Sequence, residues 1–202
     1  MEKYLLIIKD IILSLAALTG AVVAVRGLSA WKRQLSGKTE YELAHRLLKA
    51  TYKLREAVRL VRSPVMFGGE TPEPPEGHPA AESEAEKRSY GVTQAYEKRW
   101  ENVRKAHIDI EAELIEAEVL WGTQVREKFL SLFDVEHDLY VNILAYLDHI
   151  NPANRERRTP EEAKANRMIL FWGGSNDDFY RRLQVSIATI ESELKPHLKR
   201  YG

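Results

Sequence analysis

The sequence predicts an all-α protein, with one N-terminal transmembrane helix followed by an elongated antiparallel helical bundle with coiled-coil-like packing. Three observations predict this class. Ile11–Val25 reads IILSLAALTGAVVAV and contains no charged residue. Several later segments repeat apolar residues at alternating steps of three and four, which is the period of a coiled-coil stripe. Glycine is sparse outside a few loops, and stretches rich in Ala, Glu, Lys, Leu and Arg favour helix.

The N-terminal apolar segment is close in length to a bilayer. As a helix, Ile11–Val25 rises about 22 Å, and extending it back through Leu5–Ile8 gives about 31 Å, against a hydrocarbon core of about 30 Å. Lys9 and Asp10 then lie near one edge, from which their polar ends reach the headgroups. Tyr4 and Trp31 bracket the segment at the interfacial levels that aromatic side chains favour. We therefore predict a membrane span.

Three alternatives compete with a span. A signal peptide would be cleaved after Ala30. Leu28 would then occupy position −3, where signal peptidase prefers a small residue, and Arg26 would lie between the apolar run and the cleavage site. The second alternative is a buried helix of a soluble protein. The third is a helix lying flat on the membrane, which requires a polar face that this segment lacks.

Basic residues flank the apolar segment and predict its orientation. Two lysines precede it, and four basic residues follow it: Arg26, Lys32, Arg33 and Lys38. The positive-inside tendency places the N-terminus outside the cell membrane and the C-terminal domain in the cytoplasm. The same four residues are predicted contacts for anionic lipid headgroups. We expect residues 1–35 to form the anchor with its basic flank, and residues 36–202 to form the cytoplasmic helical domain.

Small residues recur along the predicted span. Ala16, Gly20 and Ala24 are four positions apart and therefore share a helix face. Small side chains allow two membrane helices to approach closely. This face predicts self-association and hence a homo-oligomer.

The first helix of the cytoplasmic domain is predicted to end near Arg62, before Pro64. Gly37 is expected to interrupt the preceding helix, and Thr39 with Glu42 has the spacing of a capping box. Apolar positions follow at heptad spacing: Ala44, Leu47, Thr51, Leu54, Val58 and Val61.

Residues 63–81 read as a linker, with five prolines and three glycines. Such a composition is typical of an extended and mobile segment. The alternative is a proline-rich ligand for a partner domain.

A long helical pattern begins near Glu82, with a break expected near Gly122 or near Phe133–Asp134. Its heptad stripe is Tyr96, Trp100, Val103, His107, Ile110, Leu114, Ala117 and Trp121. Residues 32–62 contain nine basic and three acidic residues, whereas residues 70–120 contain six basic and thirteen acidic residues. We therefore expect these two segments to pack against each other.

Two shorter helices are predicted near the C-terminus. Thr159 and Pro160 are typical of a helix start, and this helix should end before Gly173. Ser175 is expected to cap the last helix, whose apolar stripe is Leu183, Ile187, Ile190 and Leu194. Pro196 is expected to end or kink it.

One apolar run is a candidate contact for a partner. Residues 168–172 read MILFW, five apolar residues in a row, which one helix face of a small bundle cannot bury completely. We predict that Met168, Ile169, Phe171 and Trp172 contact a partner, with filling of the core as the alternative.

The composition limits the possible chemistry. The chain has no cysteine, so disulfides, thiolate nucleophiles and Cys-ligated zinc are excluded. The 30 basic and 30 acidic residues balance, which gives no overall field for nucleic acid. We find no phosphate-binding glycine loop, His-Glu-x-x-His zinc motif or Gly-x-Ser-x-Gly elbow. The sequence therefore predicts no catalytic residue and no cofactor. It favours a protein that is not an enzyme, without deciding the question.

Histidines leave a lesser alternative open. The pairs Glu42/His45 and Asp134/His137 have the Glu-x-x-His type of spacing that carboxylate-bridged metal sites use in helical bundles. Glu42 has a predicted capping role, Asp134 lies at a suspected helix break, and neither histidine is on the main apolar stripe. No metal ligand is therefore predicted. His107 lies within an apolar stripe and is expected to be a core histidine with a polar partner, rather than a pH switch.

The function that fits these features is a single-pass membrane-anchored scaffold, adaptor or sensor module that contacts an unidentified cytoplasmic protein. The alternative is a membrane effector, in which an oligomerising transmembrane helix perturbs the bilayer. The lesser alternative is a carboxylate/histidine metalloenzyme within the bundle.

Overall fold

The computed structural model describes the backbone of residues 2–154, 159–171 and 173–199. Within these ranges, the side chains of residues 2–12, 14, 17, 29, 30, 33, 153 and 175 lie outside the description. The described residues are helical, with no strand among them, which confirms the predicted all-α class.

Five α-helices make up most of the described chain: α1 (Glu2–Val61), α2 (Glu84–Trp121), α3 (Gln124–Ile150), α4 (Pro160–Leu170) and α5 (Asp178–Lys199). Single turns of 3-10 helix lie in the connections, at Pro79–Ala81, Pro152–Asn154 and Gly174–Asn176.

The body is an antiparallel four-helix bundle. The second half of α1 packs against α2 and α5, and α3 packs against the same two helices from the opposite corner. The short helix α4 lies against α3 at the end of the bundle where α1 ends. The predicted helical bundle is therefore confirmed.

The predicted apolar stripes form the core. Every member of the α1 stripe is at most 1% exposed, including the one polar residue, Thr51, whose hydroxyl donates to the Leu47 carbonyl at 2.8 Å. The α2 stripe is buried except at Trp100, His107 and Trp121, which are half-buried. The α5 stripe is also buried. Heptad spacing identified the buried face because each helix has one neighbour-facing side in a bundle.

The predicted interruption at Gly37 is wrong. α1 continues through Gly37, and the Thr39 hydroxyl donates to the Leu35 carbonyl at 3.1 Å instead of capping a new helix. A single glycine inside a helix costs only about 1 kcal/mol relative to alanine, which long flanking helices can offset.

The break between α2 and α3 lies at Gly122, one of the two predicted positions. Gly122 has φ +88°, a left-handed conformation that favours glycine, and its N–H donates to the Glu118 carbonyl at 3.0 Å. α3 runs uninterrupted through Phe133–Asp134, the other position.

The C-terminal helix begins later than predicted, and it does not end at Pro196. Asp177, not Ser175, caps α5, because its Oδ1 accepts the N–H of Tyr180 at 2.8 Å. Pro196 lies inside α5, which continues to Lys199 with Leu198 packed on the core. The start of α4 is as predicted, with Thr159 and Glu162 forming a capping box.

In the part of the chain that the structure describes, no helix is both long enough and apolar enough to cross a membrane. Ile11, Ile12, Ser14 and Ala17 of the predicted span have side chains outside the description.

Candidate functional site

The N-terminal half of α1 extends beyond the bundle, and the apolar side chains that the structure describes between residues 13 and 28 are uncovered. Seven Leu and Val residues between positions 13 and 28 are each 45% to 70% exposed: Leu13, Leu15, Leu18, Val22, Val23, Val25 and Leu28. At about 100° per residue, these seven positions cover all sides of the helix. We call this surface the apolar sleeve. It differs from an amphipathic face because exposed Leu and Val side chains occur on every side of the helix.

The predicted lipid-contact residues begin in the last turn of the sleeve, at Arg26, and continue beyond it. Arg26, Lys32 and Lys38 have exposed side chains, and the Arg33 side chain lies outside the description. Lys38 Nζ lies 3.8 Å from Glu42 Oε1, at a distance typical of a weak surface ion pair. Arg26, Lys32 and Lys38 are six residues apart from one to the next, so their side chains project in different directions around the helix. The flank is therefore a charged collar around the helix, and its contact with lipid stays a prediction.

The predicted self-association face lies in a shallow groove on the sleeve. The groove has a volume of about 590 Å³ and is lined by Leu15, Ala16, Thr19, Gly20 and Val23. A Cβ atom added at Gly20 would meet no atom within 4 Å. Ala24 is exposed one turn beyond Gly20. The groove is the shape that close approach of a second helix requires, although self-association itself stays a prediction.

The apolar run at the end of α4 is only partly available to a partner. Met168 is 62% exposed, whereas Ile169 and Phe171 are half-buried against the core. Leu170, within the same run, is fully buried. Trp172 lies outside the described residues. Of the four predicted contact residues, Met168 is thus the one that the described structure leaves open to a partner.

Arg62, which the sequence analysis did not single out, is buried at the end of α1. Its guanidinium forms a bidentate pair with Asp177, at 2.9 Å from Nη1 to Oδ2 and 3.1 Å from Nη2 to Oδ1. It also donates to the main-chain carbonyls of Met168, Ile169 and Phe171. These carbonyls terminate α4, whose last turn has no partners within the helix. Arg62 therefore joins α1, the end of α4 and the start of α5.

Asp177 is held in its ionised form. Burial alone would raise its pKa, but donation from Arg62 and from the N–H groups of Gly173 and Tyr180 outweighs burial, so the pKa is lowered.

Arg99 performs a similar role for the predicted linker. It is 1% exposed, and its guanidinium donates to both oxygens of Glu70, at 3.0 and 2.6 Å. It also donates to the carbonyls of Leu60, Ser63 and Val65, at 3.2, 2.9 and 2.6 Å. All five N–H donors of the guanidinium are therefore used.

Residues 63–72, the first half of the linker, are consequently docked on α2 and do not extend away from the bundle. Gly91 of α2 gives close access: an added Cβ would lie 3.2 Å from the Pro72 carbonyl oxygen and 3.3 Å from Thr71 Cβ. Composition could not show this docking, because the residue that holds the linker lies 29 positions after Glu70.

Charge pairing between α1 and α2 follows the opposite net charges of their segments. Arg46 contacts Glu113 at 2.8 Å and Glu116 at 2.5 Å, and Lys53 contacts Asp109 at 2.9 Å. These pairs are partly exposed, so each stabilises the bundle by at most about 1 kcal/mol. Their main effect is to favour this pairing of helices.

The histidines do not assemble a metal centre among the described residues, where no group of three His, Asp or Glu side chains is placed to hold an ion. His107 has the predicted polar partner, because its Nδ1 lies 2.7 Å from Glu136 Oε2, but it is half-buried and not fully in the core. Burial raises the pKa of Glu136, and the contact with His107 offsets part of this increase. The pair joins α2 to α3. Among the described residues, no third side chain lies beside it that could complete a metal site.

Comparison of the chain with protein-family models, with curated proteins and with solved structures found no match.

Proposed function

We propose that this protein is a single-pass membrane-anchored helical module that acts as a scaffold, adaptor or sensor through protein contacts at the membrane. The observation that carries the proposal is the apolar sleeve, since its exposed Leu and Val side chains surround the helix.

The distribution of the sleeve side chains favours lipid as their environment. A partner helix covers one side of another helix, and would leave the remaining Leu and Val residues in water. Lipid covers all sides at once, and burial of each such side chain contributes about 1.5–3 kcal/mol. The charged collar at Arg26, Lys32 and Lys38 then lies where a cytoplasmic interface attracts basic residues.

The continuity of α1 gives the module a defined height above the membrane. α5 reaches α1 at Glu40, whose Oε2 lies 3.2 Å from His197 Nδ1. Arg26 and Glu40 are fourteen residues apart, or about 21 Å of helix. A stalk of this length would hold the bundle clear of the headgroups, where cytoplasmic proteins can reach its sides.

The experiment is a topology measurement that uses the absence of cysteine from the chain. Gly68→Cys places one thiol in the linker, at a position where an added Cβ meets no atom within 4 Å. Lys3→Cys places one before the sleeve. Each variant is recovered in the membrane fraction and labelled with an impermeant maleimide, in intact and in lysed cells.

We expect the Lys3→Cys variant to be labelled in intact cells and the Gly68→Cys variant only after lysis. The reverse pattern would invert the orientation. Recovery of both variants in the soluble fraction would overturn the membrane anchor itself.

A second candidate function is a membrane effector, in which the anchors oligomerise and perturb the bilayer. The groove around Gly20 favours it, because a groove of small residues is the feature that lets membrane helices associate. Leakage of membranes that depends on this groove would distinguish it from a scaffold, which should leave the bilayer intact.

A further inference from the structure

A second heptad stripe on α2 faces away from the bundle. Ile108, Ala112, Ile115 and Val119 are spaced by four, three and four residues and therefore share one face. Ile108, Ile115 and Val119 are 58%, 64% and 80% exposed, and Ala112 is exposed beside them. The core stripe of α2, including Ile110 and Leu114, lies on the other side of the helix. We call this outward stripe the α2 seam.

Acidic residues flank the seam. From Ala106 to Val125 the chain contains five acidic residues and no lysine or arginine. They lie within 3.0 Å of three cations of the same chain: Asp109 with Lys53, Glu113 and Glu116 with Arg46, and Glu111 and Glu118 with Arg126. Five carboxylates against three cations leave an excess of negative charge along both edges of the seam.

The bilayer does not cover the seam if the anchor is placed as proposed above. Trp121, at the end of α2, stacks on His197, which contacts Glu40 about 21 Å of helix beyond Arg26. The seam runs from that level away from the membrane, since α2 is antiparallel to α1.

A second copy joined through the anchor groove does not cover the seam either. Gly20 and Glu56 are 36 residues apart, which is ten helical turns, so they lie on the same face of α1. Glu56 is exposed on the side of α1 away from the core, whereas α2 packs on the side of Arg46 and Lys53. Two copies that meet along the Gly20 face would leave their α2 seams free.

We propose that the α2 seam binds an amphipathic helix of a partner protein, one with an apolar stripe at heptad spacing and lysine or arginine beside it. The apolar stripe of such a helix would pack on Ile108, Ile115 and Val119, and its basic residues would meet the excess carboxylates. The seam would thus give the proposed scaffold a partner of defined chemistry. This rests on the proposed function only where the membrane anchor is used to argue that the bilayer does not cover the seam.

The test measures binding of two synthetic peptides to the full chain in nanodiscs of zwitterionic lipid. Both peptides have leucine at the two apolar heptad positions; one has lysine at the flanking positions and the other has glutamate. Each is labelled, and binding is followed by fluorescence anisotropy. The variant Ile115→Glu alters the seam, and Val185→Glu, at an α5 residue that is also 64% exposed, is the matched control.

We expect the lysine peptide to bind the wild type and Val185→Glu alike, and to bind Ile115→Glu about tenfold or more weakly. Its affinity should fall as salt is added, since the recognition is partly electrostatic. The glutamate peptide should not bind.

Equal binding of both peptides, or equal binding of the lysine peptide to wild type and Ile115→Glu, would overturn the proposal. So would efficient disulfide cross-linking of an Ile115→Cys variant to itself without peptide, because a second copy would then occupy the seam. Recovery of the chain in the membrane fraction is measured separately. A soluble chain would reject the proposed membrane anchor, whereas the peptide results test only the proposed binding of a helix at the seam.

Discussion

Two buried arginines explain how the loops of this bundle are held. Arg62 and Arg99 are 4% and 1% exposed, and both direct their guanidinium groups at main-chain carbonyls as well as at a carboxylate. A buried charge is tolerated only when its donors are satisfied, and five donors in a planar fork suit carbonyls that converge at a helix end. Lysine could not replace either residue, since it has three donors and no fork.

Replacing Arg99 with methionine should destabilise the protein by about 3–5 kcal/mol, because it leaves Glu70 and three carbonyls without their donor. Urea-induced unfolding of the full chain, followed by tryptophan fluorescence, measures this change. The matched control is Arg104→Met, one turn further along α2 on its exposed side, which should stay within about 0.5 kcal/mol of the wild type. A wild-type midpoint for Arg99→Met would contradict the assigned role.

The pair between Arg99 and Glu70 should also be visible as a pH dependence. Donation from Arg99, with a further contribution from the Phe67 N–H, lowers the pKa of Glu70 below its ordinary value of 4.5, although burial opposes the change. In acid the unfolded chain therefore binds a proton at Glu70 before the folded chain does. The stability that Glu70 contributes is fully present above pH 4.5 and is lost as pH falls through the lowered pKa.

Comparison of the wild type with Glu70→Gln isolates this contribution. The difference in free energy of unfolding between the two proteins should be large at about pH 6 and should shrink by about pH 3.5. A difference that stays constant, or grows as the pH falls, would mean that Glu70 is not ionised through its contact with Arg99.

At the scale of elements, contacts with α2 hold the first part of the proline-rich segment in a defined place. Residues 63–72 are fastened at Arg99 and lie against Gly91, while Gly77 has φ +79° in a turn before the 3-10 segment Pro79–Ala81. The proline-rich composition is thus typical of a loop with few backbone donors, and part of that loop is ordered by a tertiary contact.

Gly91→Leu should release the first half of the linker, because the added side chain would collide with Thr71 and Pro72. A glutamate-specific protease reports the change: cleavage after Glu70 should increase several-fold, while cleavage after the exposed Glu76 should change little. Arg88→Leu, at an exposed position of the same helix, should leave the pattern of cleavage unaltered. Cleavage after Glu70 at the wild-type rate in Gly91→Leu would show that the linker does not depend on this contact.

At the scale of the whole molecule, the two halves of α1 differ in how far their apolar residues are buried. Its N-terminal half presents the apolar sleeve, and its C-terminal half supplies buried residues from Leu43 to Val61 to the core. Because one helix spans both halves, a rotation or association of the anchors would be transmitted directly to the bundle. This continuity suits a sensor or a scaffold whose activity depends on how the anchors are paired.

Gly20→Leu should reduce association of the anchors about tenfold, since leucine fills the groove that allows close approach. Energy transfer between labelled chains in liposomes measures association, and release of an entrapped dye measures leakage. Val22→Leu, two residues away and about 200° around the helix, is the matched control. Leakage that persists in Gly20→Leu would reject the membrane effector, and equal loss of association in both variants would reject the groove as the contact.

The heptad pattern determined the buried stripes of α1, α2 and α5, because alternating steps of three and four place residues on one face of any helix whatever it packs against. Local chemistry likewise determined the cap at Thr159 and one of the two candidate breaks, at Gly122. Local chemistry did not predict that α1 continues through Gly37. The free-energy cost of one glycine inside a helix is modest, and the helical segments on both sides outweigh it.

The tertiary structure alone decided the roles of Arg62 and Arg99, whose partners lie 115 and 29 residues away. A sequence shows an arginine beside an apolar stripe, but it does not show which distant carbonyls converge on it. The outward position of the α2 seam was decided in the same way. The seam has the same heptad spacing as the core stripe of α2, so the spacing alone did not show whether another helix of the bundle covers it. The placement of the neighbouring helices decided that the seam is left exposed.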